Sequence, residues 1–236
     1  MKTYIINKGV KSYISFMLVF AVIAIITIVT RVLEMDEIQN VFKPMLMPIL
    51  MIFVFVNTKL STSFSKLIFF ALLFSLAGDV FLMPYYDIFI FGLASFLIAH
   101  IFYIIAFLKG NKLIEGIKKN MLLVVILFLA YLSLIFVLVS NMLESNTEVT
   151  LIVAVVVYAT VITVMVLSTM AMYGNYASLQ SKLMMIGAMF FMFSDSVIAV
   201  NKFIFEIPYS GLLIMSTYTL AQWLITVGGI LKIKSE

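Results

Sequence analysis

Cysteine is absent from the 236 residues, and histidine and tryptophan occur once each. The first absence removes disulfides, thiol nucleophiles and iron–sulfur ligation. A lone histidine, His100, rules out a three-histidine zinc centre. Charge is scarce as well: 11% of residues are charged and 64% are apolar, with a mean hydropathy of +1.22. So little polar surface cannot coat a water-soluble globule of this size, which makes the chain an integral membrane protein. A net charge of +4 and a pI near 9.1 hint at nucleic acid. The basic residues stand singly in short loops, however, and no solvated domain carries a binding patch, so no nucleic acid is expected.

What remains is long apolar stretches of the kind an α-helix needs to cross about 30 Å of hydrocarbon, not the short alternating segments of a barrel. Breaks at charged, proline and Asn/Gly positions predict eight transmembrane helices, near 12–30, 42–57, 66–83, 88–108, 120–140, 149–172, 183–201 and 209–231. The expected fold class is therefore all-α and polytopic, with residues 1–236 read as a single eight-helix transmembrane domain. Lys2, Lys8 and Lys11 precede the first apolar segment, but no small-x-small cleavage site follows, so that segment reads as an uncleaved span. In an eight-span arrangement Lys2, Lys8, Lys11, Lys59, Lys66, Lys109, Lys112, Lys118, Lys119, Lys182, Lys232 and Lys234 share one side, and only Arg31, Lys43 and Lys202 face the other. That asymmetry predicts cytoplasmic termini in a bacterial inner (plasma) membrane. Most loop acids, Glu34, Asp36, Glu37, Asp87, Glu144, Glu148 and Glu206, then fall outside.

Two carboxylates interrupt the apolar runs: Asp79 in "SLAGDVFLM" and Asp195 in "MFFMFSDSVIAV". Each follows a lysine, Lys66 or Lys182, by 13 residues, and the two segments align over "KLIFFALLFSLAGDV" and "KLMMIGAMFFMFSDSV". A parallel four-plus-four internal repeat is one reading of this likeness and chance similarity of apolar sequence the other. Either way, both carboxylates lie at similar depth, about 20 Å beyond those lysines. An ionised Asp at a helix centre costs roughly 2.5–3.5 kcal/mol on insertion, so two of them imply partners, a wet cavity or protonation. One reading is structural, with each Asp capping a helix or pairing with a lysine. The other is an acid/base pair in which burial keeps one proton in place.

Further polar groups fall at helical spacing: Ser75 with Asp79, His100 with Tyr103, Asp195 with Ala199 and Lys202, and Tyr218 with Gln222. These stripes can converge on one interior cavity. Each also has a structural reading, as a hydrogen-bonded histidine, buried tyrosines and an interhelical glutamine. Trp223 reads as packing, and the 17 Met and 22 Phe as adaptable, lipid-facing bulk. Lys43, before Pro44, and Lys202 stand at outer helix ends, where they either snorkel to headgroups or clamp a phosphate.

The stretches "ALLFSLAGDVFLM", "FIFGLASFLIAHIFYIIAF", "GAMFFMFSDSVIAVNKF" and "YTLAQWL", with the Lys43-Pro44 pair, resemble the lysoplasmalogenase family of YhhN-type membrane proteins. The likeness rests on G-D, A-H-x-x-Y, S-D-S and N-K-F in this order and extends over most of the chain. It implies an eight-helix hydrolase that cleaves the vinyl ether of a lysoplasmalogen to a fatty aldehyde and a glycerophospho-ethanolamine or -choline. Asp79 and Asp195 match the family's two suspected catalytic aspartates. Lys43, His100, Tyr103, Ser196, Asn201, Lys202, Tyr218 and Gln222 become the candidate substrate-binding set. The implied partners are a lysophospholipid substrate and membrane lipids.

The chemistry agrees with the residues. A vinyl ether hydrolyses when its β-carbon is protonated and water captures the oxocarbenium ion. That calls for one protonated and one ionised carboxyl, as on glycosides, and for no metal or organic cofactor. Three other readings compete. An intramembrane aspartyl protease is disfavoured because Leu76 stands where the first glycine of G-x-G-D belongs and Ser194 replaces the tyrosine of the partner motif. A proton-coupled transporter is disfavoured because paired Gly/Pro interruptions, which mark broken helices, are missing. The third is a non-enzymatic lipid-binding or scaffold protein.

Overall fold

The computed structural model describes residues 2–235 except 84 and 87, with side chains from Tyr13 onward. Asp87 therefore lies outside the described residues, and so do the side chains of Lys2, Lys8 and Lys11. Hydrocarbon offers no partner for backbone N–H and C=O groups, so the long apolar segments satisfy them internally as helices. Among the described residues there are ten: α1 (Lys2–Val32), α2 (Asp36–Phe42), α3 (Leu46–Thr58), α4 (Ser63–Phe81), α5 (Phe89–Leu108), α6 (Leu113–Lys118), α7 (Met121–Glu144), α8 (Val149–Asn175), α9 (Leu179–Phe203) and α10 (Ser210–Ser235). Eight stretches are long and apolar enough to span a membrane.

The second span differs from expectation. It begins at Asp36, not near residue 42, because α2 runs into a 3-10 turn, Lys43–Met45, before α3 continues inward. Pro44 has no N–H to give an α-helical bond, so the chain tightens for one turn instead of starting there. Lys43 consequently lies inside the bundle, 9% exposed, and not at an open helix entrance. The short α6 lies in the connection between the fourth and fifth expected spans; Lys112, just before it, pairs with Glu115 at 2.9 Å in solvent.

α4 and α9 begin alike. Thr62 and Ser65 form a reciprocal capping box on α4, and Ser178 and Ser181 form one on α9. From cap to aspartate the count is the same, 62 to 79 and 178 to 195, so equal helical rise carries both carboxylates to matching height. α4 packs along α5, α9 along α10, and α8 joins the two pairs by touching α5 and α9. α10 is the most enclosed span, 56% buried, and α7 the least, at 17%. The site is thus built around α10 and walled by α7. Toward one end Trp223 stacks on Phe20 and Phe53 at 5.2 and 5.7 Å, as a packing residue should.

Two glycines let α9 and α10 approach. A Cβ on Gly187 would stand 2.9 Å from the Ala221 carbonyl oxygen, and one on Gly228 2.8 Å from that of Gln180. Backbone cannot yield as a side chain tip does. Gly228→Val is therefore expected to cost about 1–3 kcal/mol, read as a lower thermal midpoint in detergent. An unchanged midpoint would mean that this contact does not set the helix spacing.

Candidate active site

Asp79, on α4, is 2% exposed and has partners from two other helices. The Tyr218 hydroxyl of α10 donates to Oδ2 at 2.7 Å, and the Lys43 ammonium stands 3.6 Å from Oδ1. Tyr218 is itself placed by Gln222, one turn along α10, whose Nε2 donates to Tyr218 Oη at 3.4 Å and to Ser75 Oγ at 3.0 Å. Gln222 Oε1 accepts from Tyr103 of α5 at 2.7 Å. Four elements, α4, α5, α10 and the 3-10 turn, are thereby tied into one buried chain of hydrogen bonds that ends on a carboxylate–ammonium pair. Such a network is rigid because each member is already spent on its neighbours.

Asp195, on α9, is placed differently. It is half-buried, and its Oδ2 accepts a hydrogen bond from Tyr158 of α8. No cation pairs with it among the described residues. It lines a narrow slot whose walls include Leu93, Tyr131, Leu134, Leu138 and Phe203, so its surroundings are apolar. Tyr131, on α7, interacts with Ser196 next to it. Asp79 and Asp195 are near enough for their charges to interact, although Phe191 packs between their networks, edge-on to Tyr218 at 5.4 Å and to His100 at 4.7 Å.

A second, wider cavity of about 410 Å³, against about 50 Å³ in the slot, opens toward the ends of α1, α9 and α10. Arg31, Lys43, Lys202, Asp36, Gln39 and Asn201 give it a polar, mainly basic lining. Leu82, Phe89 and Ile198 belong to both walls. A polar vestibule thus meets an apolar, carboxyl-bearing slot across one shared partition, which is the layout an amphiphile with an anionic head requires.

The candidates named from sequence sort accordingly. Asp79, Tyr218, Gln222, Tyr103 and Lys43 are brought together, but Asp79 lines neither cavity; only Asp195 faces the slot, with Ser196. Lys43 reaches the vestibule with its charge already engaged by Asp79, while Lys202 also lies over the Phe89 ring, 4.6 Å from its centroid. Asn201 accepts from the Ile207 backbone N–H at 2.8 Å and so also ties the helix end. His100 is completely buried against Tyr158 and Phe191, and neither ring nitrogen has a hydrogen-bond partner among the described residues.

Sequence reasoning missed Tyr158, Tyr131, Arg31 and Gln39. The two tyrosines carried a usable signal, since each is a lone hydroxyl-bearing ring inside a long aliphatic run, "VVVYATV" or "FLAYLSL". Arg31 and Gln39 fall in the connection between the first two expected spans and carry no such signal.

A model of the YhhN family matches residues 38–229, which hold both aspartates and most of the vestibule. The chain is 34% identical over 167 residues to lysoplasmalogenase TMEM86A of Bos taurus, covering 69% of this chain and 65% of that protein. It is 29% identical over 160 residues to lysoplasmalogenase TMEM86B of Mus musculus, covering 68% and 62%. A 44-residue stretch is 54% identical to lysoplasmalogenase TMEM86A of Homo sapiens, covering 19% and 18%. The matches span less than two thirds of the length of these relatives. No solved structure matches the chain. With a family match over most of its length and two carboxylates held within one helical bundle, the chain belongs to the YhhN family.

Proposed function

We propose that the protein is a lysoplasmalogenase: it hydrolyses the vinyl ether of a lysoplasmalogen to a fatty aldehyde and a glycerophospho-ethanolamine or -choline. The relatives' names support this reading, and the observation that carries it is the partition at Leu82, Phe89 and Ile198, where a basic vestibule meets a slot bearing Asp195. Phosphate lies toward Arg31 and Lys202, and the alkenyl chain enters the slot. In the same reading the whole chain is one domain of a bacterial inner membrane with cytoplasmic termini, supported by the uneven distribution of lysines. The vestibule then faces outward.

Asp195 is the general acid. It has an apolar setting and no cation beside it, and Tyr158 holds Oδ2, leaving Oδ1 to face the substrate. Its proton goes to the β-carbon of the alkenyl chain, and the ether oxygen's electrons form the oxocarbenium ion. Water adds to the α-carbon, the one bonded to the ether oxygen, and returns a proton to Asp195. The hemiacetal then loses the glycerol oxygen as alcohol, leaving the aldehyde. Asp79, gripped by Tyr218, is the negative end of its pair with Lys43, and that fixed dipole favours the cation without entering the slot.

The test is aldehyde release. Purified protein in detergent, given a lysoplasmalogen, should produce aldehyde and glycerophosphoalcohol in equal amounts and leave the saturated ether analogue intact. Absence of aldehyde refutes the reading; substrate-dependent proton flux in liposomes without turnover would replace it with transport.

A further inference from the structure

Gln39 is buried to 3% exposure, lines the vestibule, and has a side-chain carbonyl Oε1 with no hydrogen-bond partner among the described residues. Its neighbour Asn40 also has an unpartnered Oδ1 but does not line the cavity. A buried acceptor left unpaired is costly, and the cost is removed when a ligand brings the missing donor. We propose that Gln39 reads the free hydroxyl on the central glycerol carbon, and so restricts the enzyme to lysolipids. The inference rests on the reading above and adds to it the residue that selects the substrate's form.

The argument runs along one helix face. Asp36, Gln39 and Lys43 follow at i, i+3 and i+7, and all three line the vestibule. Asp36 ends the row away from Asp79, where it also lines a polar pocket with Glu34 and Tyr209, and Lys43 stands against Asp79 at the other end. A carbonyl oxygen only accepts, so phosphate and ether oxygens cannot satisfy it. Two donors remain on such a lipid, the central hydroxyl and a headgroup ammonium. The ammonium lies beyond the phosphate, where the Asp36 carboxylate, a turn further out, meets it first. The hydroxyl oxygen stands five bonds from the β-carbon to be protonated, so one molecule can present its hydroxyl to the vestibule and its alkenyl group to the slot across the shared partition. Acylating that hydroxyl removes the donor.

The experiment compares a 1-alkenyl lysophospholipid with its 2-deoxy analogue, which lacks only the hydroxyl. Wild type should favour the hydroxylated substrate by about tenfold or more in kcat/KM, since a site built for a hydroxyl rejects the analogue without one. Gln39→Leu should bring the ratio close to one by losing rate on the hydroxylated substrate alone, while Gln39→Glu, which keeps an acceptor, should retain the preference. A wild-type ratio near one overturns the proposal. So does a ratio that Gln39→Leu leaves unchanged, or a selective response to removing the headgroup amine. If Gln39→Leu does not fold, the wild-type and Gln39→Glu ratios decide. Binding of the saturated 1-alkyl lysolipid against its 2-deoxy form supplies a readout independent of hydrolysis. Discrimination there without aldehyde release from the vinyl ether would refute the activity and leave the role of Gln39 standing.

Discussion

Asp195→Asn is expected to lower aldehyde release by about a thousandfold, while the protein still melts within a few degrees of wild type. The magnitude is that of removing a positioned general acid, which spans roughly 10²–10⁴ in rate. Folding survives because the amide keeps the shape of the carboxyl, and its oxygen still accepts from Tyr158. Asp79→Asn acts at one remove: it lines no cavity, so its loss should cost about tenfold to a hundredfold through the lost potential. Stopped aldehyde assays on both variants separate these roles. Equal losses would make the two carboxyls joint partners at the substrate, and unchanged turnover in Asp195→Asn would remove it from the acid role.

Lys43→Met gives the largest stability effect. Lys43 and Asp79 are 9% and 2% exposed, and removing the ammonium strands the carboxylate, which faces neither cavity. Breaking such a pair typically costs about 3–5 kcal/mol, whereas replacing both members is far milder. The double variant Lys43→Met/Asp79→Asn should therefore recover most of the thermal midpoint lost in Lys43→Met. A double variant as unstable as the single one would show that Lys43 contributes through packing of its stem and not through its charge.

Much of this architecture was readable in the residues. Lipid forces every spanning segment to solve the same backbone problem, so length and apolarity alone give the eight spans. The stripes Ser75–Asp79 and Tyr218–Gln222 were visible because helical period places them on one face, and the structure ties all four into one network. Which faces meet was not visible. The Lys43–Asp79 pair depends on the 3-10 turn at Pro44 drawing the lysine inward, and the Tyr158–Asp195 pair on how α8 packs against α9. Spacing put both carboxyls at one height, but burial gave only Asp195 a cavity to face. Gln39 was silent because an unmet hydrogen bond has no sequence pattern.

α7 supplies Tyr131, Leu134 and Leu138 to the slot and is the least enclosed of the spans. Under the proposed chemistry, one poorly enclosed helix is all that stands between the slot and the lipid beside it. On that reading the two halves of the cleaved molecule part along different routes, the aldehyde sliding sideways into the leaflet and the water-loving fragment departing through the vestibule. Neither fragment has to pass the other on the way out.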